Sequence, residues 1–174
     1  MLKKFTELPD AEKKDLIDKA ASLGYEYERK YGNCPQCTIA AIQDTFGIID
    51  DDVFKQSYGF GAGIGLTSKG TCGALSAAIL IIGSLHGREK ADFHSGRNAK
   101  CYELSKQLVE KVEEEYGGIL CHEIQRKIMG DSFDLNKQEE FLAFEAAGGH
   151  DDKCPSVIAF VAGYLAELIV EGEL

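Results

Sequence analysis

The chain has 174 residues, enough for one domain with a sizeable core, and 44% of them are hydrophobic, which excludes global disorder. A formal net charge of -10 repels phosphate backbones and anionic lipid, so neither nucleic acid nor a charged membrane surface is an expected partner.

"MLKKFTELPDAEKK" at the N-terminus carries charge but no apolar stretch and no small-residue cleavage site, so no secretory signal is expected there. The first predicted helix runs from about Asp10 to Tyr31, with Leu16, Ala20, Leu23 and Tyr27 at helical spacing and Gly32 ending it. Asn33 is suited to cap a second helix, with Pro35 in its first turn, and Gly47 stops it. "DDDVFKQSY" reads as a short helix or turn. A glycine-dense segment, "GFGAGIGLTSKGTCG" (59–73), leads into a buried helix that begins near Thr71 and ends at residues 86–88. Its apolar run "GALSAAILIIGSL" has 13 residues, too few to cross a bilayer, so no membrane span is expected.

A loop is expected over 89–98, then a long charged helix from Asn98 to Tyr116 ended by Gly117 and Gly118. "CHEIQRKIMG" gives one or two helical turns, 137–146 a short helix, and the last helix runs from about Lys153 to Val170. No segment alternates as a half-buried strand does. The expectation is an all-α fold, a single-domain helical bundle of about six to seven helices.

The default location is the cytoplasm, where thiols stay reduced unless they do redox work or hold metal. Six cysteines there need a use. Cys34, Cys72, Cys121 and Cys154 all fall at predicted N-termini, in four different helices. A helix start offers unpaired N–H groups and the positive end of the macrodipole, worth about 0.3–1 kcal/mol to a nearby negative charge. Such ends favour a thiolate, and four aimed at one point would favour a compact anion such as an iron–sulfur cluster, or zinc held by four thiolates. Buried cysteine is also an ordinary core filler, and the spacings of 38, 49 and 33 residues match no short metal motif.

Cys101 shares a stripe with Leu104, Leu108 and Val112 and reads as core or partly exposed. Cys37 stands one helical turn past Cys34 in "CPQC", so the pair could work as a dithiol, or Cys37 could be an alternative ligand or a bystander. Thioredoxin-type pairs sit on a strand–helix junction, and Thr38 stands where a c-type haem motif needs histidine.

Four stretches, "GNCPQCTIAAI", "YGFGAGIGLTSKGTCGALSAAILIIGSLHGR", "EEEYGGILCHEI" and "KCPSVIAFVAGYLAELI", together resemble the C_GCAxxG_C_C family of redox-active proteins from about residue 15 to 170. The resemblance implies that the family's four cysteines are Cys34, Cys72, Cys121 and Cys154. A related domain occurs in split-Soret cytochromes with a [2Fe-2S] centre, and that similarity favours a [2Fe-2S] cluster over [4Fe-4S] or zinc. The chain departs from the family pattern at Ala77, where the motif closes on glycine, at Cys37, and over about 130–150.

"GFGAGIG" fails the dinucleotide fingerprint and "SKGT" is not a P-loop. A sharp backbone turn is the plain reading of this loop; the functional one puts Gly61, Gly63 and Gly73 close against a cofactor beside Cys72, with free N–H groups facing sulfur. His122 and His150 stand near the site cysteines as ligands or proton carriers, or as solvated or capping residues. The functional expectation is a small redox or electron-transfer protein with a redox partner protein, not necessarily an enzyme. Thiol–disulfide chemistry at Cys34 and Cys37 and a structural zinc site are the alternatives, and a homodimer is compatible with a short helical bundle.

Overall fold

The computed structural model describes residues 2–94, 96 and 98–174; residues 95 and 97 of the loop expected over 89–98 lie outside the described residues. Among the described residues there are nine α-helices: α1 (Lys3–Thr6), α2 (Asp10–Tyr31), α3 (Cys34–Phe46), α4 (Asp51–Ser57), α5 (Gly73–His86), α6 (Ala99–Tyr116), α7 (Cys121–Met129), α8 (Gln138–Ala146) and α9 (Cys154–Val170). The all-α expectation holds, but six to seven was too few. The N-terminal turn α1 has no apolar period long enough to read; Phe5 anchors it edge-on against Phe46. No strand forms among the described residues beyond one antiparallel bridge, Thr71 to Leu120.

Helices α2, α3, α5 and α9 pack on one another around the core, α6 covers α5, and α7 packs on α6. The apolar run of α5 is buried on nearly every side, as its composition requires. The helix that has the length and hydropathy of a membrane span is a different one, Gly149–Val170, which includes a π-helical turn (Gly149–Lys153) ahead of α9. Here its apolar faces are covered chiefly by α2, α3 and α5.

The buried face of α2 is Ala20, Gly24 and Glu28, spaced by four, instead of the bulkier stripe of Leu16, Leu23 and Tyr27. Small residues let α9 come close: a Cβ at Gly24 would stand 2.9 Å from Ile158 Cγ2 and 3.3 Å from Ala162 Cβ. Gly24→Ala gains about 1 kcal/mol of helix propensity but overpacks a rigid contact at a cost of about 1–3 kcal/mol. A net loss is expected, read as a lower urea midpoint.

A candidate metal centre

All four of the cysteines expected at helix starts are there. Cys34, Cys121 and Cys154 are the first residues of α3, α7 and α9, and Cys72 is the N-cap of α5. The four line one cavity of about 690 Å³, together with Cys37, Glu28 and His150. Cys101 does not line it and packs half-buried on the α6 stripe, as expected.

Backbone pairing holds two of the thiols in register. The Cys72 amide donates to Ile119 O (2.9 Å), and the Cys121 amide donates to Gly70 O (2.9 Å). These bonds flank the Thr71–Leu120 bridge and lay the starts of α5 and α7 side by side. Glu123 tightens the α7 start by accepting from the Ile119 and Leu120 amides, both at 3.0 Å. Asn33 caps α3 as expected, accepting from the Gln36 amide (3.4 Å), and its Nδ2 donates to Tyr58 O (3.2 Å).

The glycine segment turns through a run of left-handed φ. Five consecutive residues, Ala62 to Leu66, have φ of +44°, +68°, +67°, +60° and +63°, and Ser68 adds a sixth at +58°. Glycines take up the conformation at 63 and 65; at each of the other four positions it costs about 1–2 kcal/mol. Tertiary bonds hold it: Ser68 N donates to Ala62 O (2.8 Å), Gly70 N to Gly63 O (2.9 Å), and Ser68 Oγ to Phe133 O (2.6 Å). Strain maintained in this way is a mark of functional loops.

The three glycines make close approaches to neighbouring residues. Gly63 packs on Cys121, where an added Cβ would lie 2.6 Å from that residue's own Cβ, and Gly61 packs on Asn33. At Gly73 an added Cβ would run into Cys34 Sγ and stand 2.7 Å from Pro35 Cδ. Gly73→Ala is expected to push Cys34 out of place and lower the urea midpoint by about 1–3 kcal/mol; an unchanged midpoint would mean that Cys34 has room to move.

Donors face the sulfur atoms. The Ala62 amide draws the Cys34 pKa down, and the Ala74 and Leu75 amides do so at Cys72 without closing a full capping bond. Gln125 Nε2 lies 3.6 Å from Cys121 Sγ and 3.3 Å from Ser68 Oγ, while its Oε1 accepts from the Phe133 amide (2.8 Å). These donors do not win. Burial pushes Cys34 and Cys154 well above the usual thiol range, raises Cys72, and lifts Cys121 to about 12. Charge repulsion from Glu28 raises all four further, and that among the thiols raises Cys34, Cys121 and Cys154. The expectation that helix ends would ionise the thiols is corrected: a helix end contributes tenths of a kcal/mol, and desolvation of a buried charge costs far more.

Cys37 is the most buried member of the "CPQC" pair. Its Sγ donates to Gly32 O (2.9 Å), and burial, then Glu28, moves its pKa far up. A thiol kept protonated in this way is a poor nucleophile, which counts against a Cys34–Cys37 exchange site.

Glu28 was missed by sequence reading, although its i, i+4 alignment with Ala20 and Gly24 was the signal available. It is 2% exposed, and its Oε2 has no hydrogen-bond partner among the described residues. Burial lifts its pKa to about 7 against the pull of His150, whose Nε2 stands 3.9 Å from Glu28 Oε1. His150 Nδ1 is hydrogen-bonded to half-exposed Glu145, so a row of side chains leads from the cavity wall to solvent. His150 is therefore a wall residue and not a solvated or capping one. His122 is turned away to Ser68 O (3.0 Å). Segment 130–150, where the chain departs from the family pattern, supplies Leu135, Phe141, Phe144 and His150 to the cavity and clasps the left-handed turn through Leu135 N to Leu66 O (3.1 Å).

Among the described residues, no group of three or more His, Cys, Asp and Glu stands ready-arranged to hold a metal ion. The four thiols are distributed about the cavity wall, within electrostatic reach of one another. Four thiols, facing amides and close glycine approaches suit a thiolate-ligated group in donor chemistry, and the cavity leaves it space.

The model of a family described as "Putative redox-active protein (C_GCAxxG_C_C)" matches residues 32–168. No curated protein and no solved structure matches the chain.

Proposed function

The chain belongs to the C_GCAxxG_C_C family, and from that premise we propose that it carries one [2Fe-2S] cluster on Cys34, Cys72, Cys121 and Cys154 and exchanges single electrons with a partner protein. The observation that carries this reading is the meeting of four helix N-termini, each bearing a cysteine, at one cavity. When bound, such a cluster supplies one-electron chemistry at a potential set by its surroundings. The chain's own residues supply the rest. Burial of α5 and α9 excludes water from behind the sulfurs. The amides of Ala62, Ala74 and Leu75 and the Gln125 side chain stabilise negative sulfur and would raise the potential. A proton held on Glu28 below about pH 7 keeps a carboxylate charge away from the thiolates. Binding requires the thiols to lose protons that burial makes them keep, so metal loading should release protons and improve as pH rises. A reducing compartment such as the cytoplasm suits free thiols of this kind.

Anaerobic purification with iron, zinc and acid-labile sulfide analysis tests the proposal. Iron and sulfide in equal amounts, with visible charge-transfer absorption, is the expected result. One zinc without sulfide, or metal-free protein with a reversible Cys34–Cys37 bridge, would overturn it.

A further inference from the structure

The cavity is larger than its thiols require. Its volume of about 690 Å³ lies within the usual range for small-molecule sites, and a four-atom inorganic core fills only part of it. Beyond the sulfurs the wall is aromatic. Tyr31 and Tyr58 line the cavity while 67% and 66% exposed, and Phe141 while 38% exposed, so they stand at its mouth. Large aromatic side chains left open beside a concave site are poised to be covered.

Charge narrows the occupant. Among the described residues, no lysine or arginine lines the cavity; its ionisable wall residues besides cysteine and tyrosine are Glu28, Asp44 and His150. Lys30 lies 5.0 Å from the Tyr31 ring centroid without joining the wall. Asp44 accepts from Tyr27 Oη (2.6 Å), whereas Glu28 Oε2 is unpartnered, with its carboxyl nine-tenths buried in that wall. The amides that could receive an anion point at Cys34 and Cys72.

We propose that the outer part of this cavity, between Tyr31, Tyr58 and Phe141, binds a flat aromatic molecule that is neutral or singly cationic. The exclusion of anions rests on the four-thiolate reading above, because the helix amides are then committed to sulfur. Aromatic side chains attract a planar cation by stacking and by the ring quadrupole, and Tyr58 and Phe141 carry this argument, since Lys30 Nζ already lies over the Tyr31 ring. Among the described residues, no lysine or arginine lines the wall to receive a phosphorylated cofactor.

Calorimetric titration of anaerobically purified protein, with its iron and sulfide measured, tests the site. N-methylquinolinium should saturate a single site, and 2-naphthalenesulfonate, of similar shape and opposite charge, should bind at least about tenfold more weakly. Tyr58→Ala should weaken N-methylquinolinium by about fivefold or more, and Tyr58→Phe should restore it. Tyr58 is exposed, so folding is not at stake, and Tyr31→Ala, at another exposed position, gives a second reading. No saturation, equal or tighter sulfonate binding, or indifference to both alanine variants overturns the proposal. Iron and sulfide present with a flat titration rejects the pocket and leaves the cluster. Tyr58-dependent binding to protein without iron upholds the pocket and rejects the cluster.

Discussion

On the proposed cluster assignment, Cys72→Ser is expected to strip the protein of iron and sulfide while leaving its fold intact. The two effects separate because of where the residue sits. Cys72 is the N-cap of α5, with the Ala74 and Leu75 amides facing its side chain. Serine is among the best N-cap residues, and its oxygen would accept from those amides more strongly than a protonated thiol does. Removing a buried thiol normally costs stability, but here the cap returns about 0.5–1 kcal/mol. Metal-free Cys72→Ser should therefore unfold at a urea concentration near that of the metal-free parent. Its iron and sulfide should fall to background, since an alcohol replaces a thiolate ligand. Cys101→Ser, outside the cavity, should retain full iron, and Cys37→Ser should retain most, because serine can also donate to Gly32 O. Iron retained in Cys72→Ser but lost in Cys37→Ser would mean that the wrong sulfurs have been assigned.

Glu28→Gln is expected to stabilise the protein above neutral pH and to do progressively less as pH falls. Glu28 is 2% exposed, and burial raises its pKa from 4.5 to about 7. The folded state thus holds this proton more tightly than the unfolded chain. The resulting contribution to stability is fully present below about pH 4.5 and is lost as pH rises through about 7. At 1.36 kcal/mol per unit, the full swing is about 3 kcal/mol. Glutamine keeps the shape and cannot ionise. The difference between parent and variant in urea unfolding should be small at pH 5 and approach that value by pH 8.5. A difference that does not vary with pH would show that the Glu28 carboxylate is solvated or paired.

The two variants probe residues of different legibility. Cys72 could be read from the chain because "TCGALSAAIL" carries a helix start beside a cysteine in local order. Glu28 could not be read in this way. It follows Ala20 and Gly24 on one face, but the tyrosines and leucines beside it carry the stronger apolar signal, and only contact with α9 shows which face is buried. His150 depends on a π-helical turn that places it between Glu28 and Glu145, and no local pattern announces that turn. The left-handed run from Ala62 to Leu66 is legible as glycine-rich, yet its handedness at alanine, isoleucine and leucine is imposed by bonds from Ser68, Gly70 and the 131–136 segment.

Local sequence determined that this chain is helical, where most helices begin and end, and that four cysteines open four of them, because capping, glycine stops and apolar period act over a few residues. Only the tertiary structure decided that those four starts share one cavity, that Glu28 and His150 join its wall, and that burial raises the pKa of the thiols. Convergence depends on packing between segments tens of residues apart, and desolvation acts on a group only once its neighbours have closed around it.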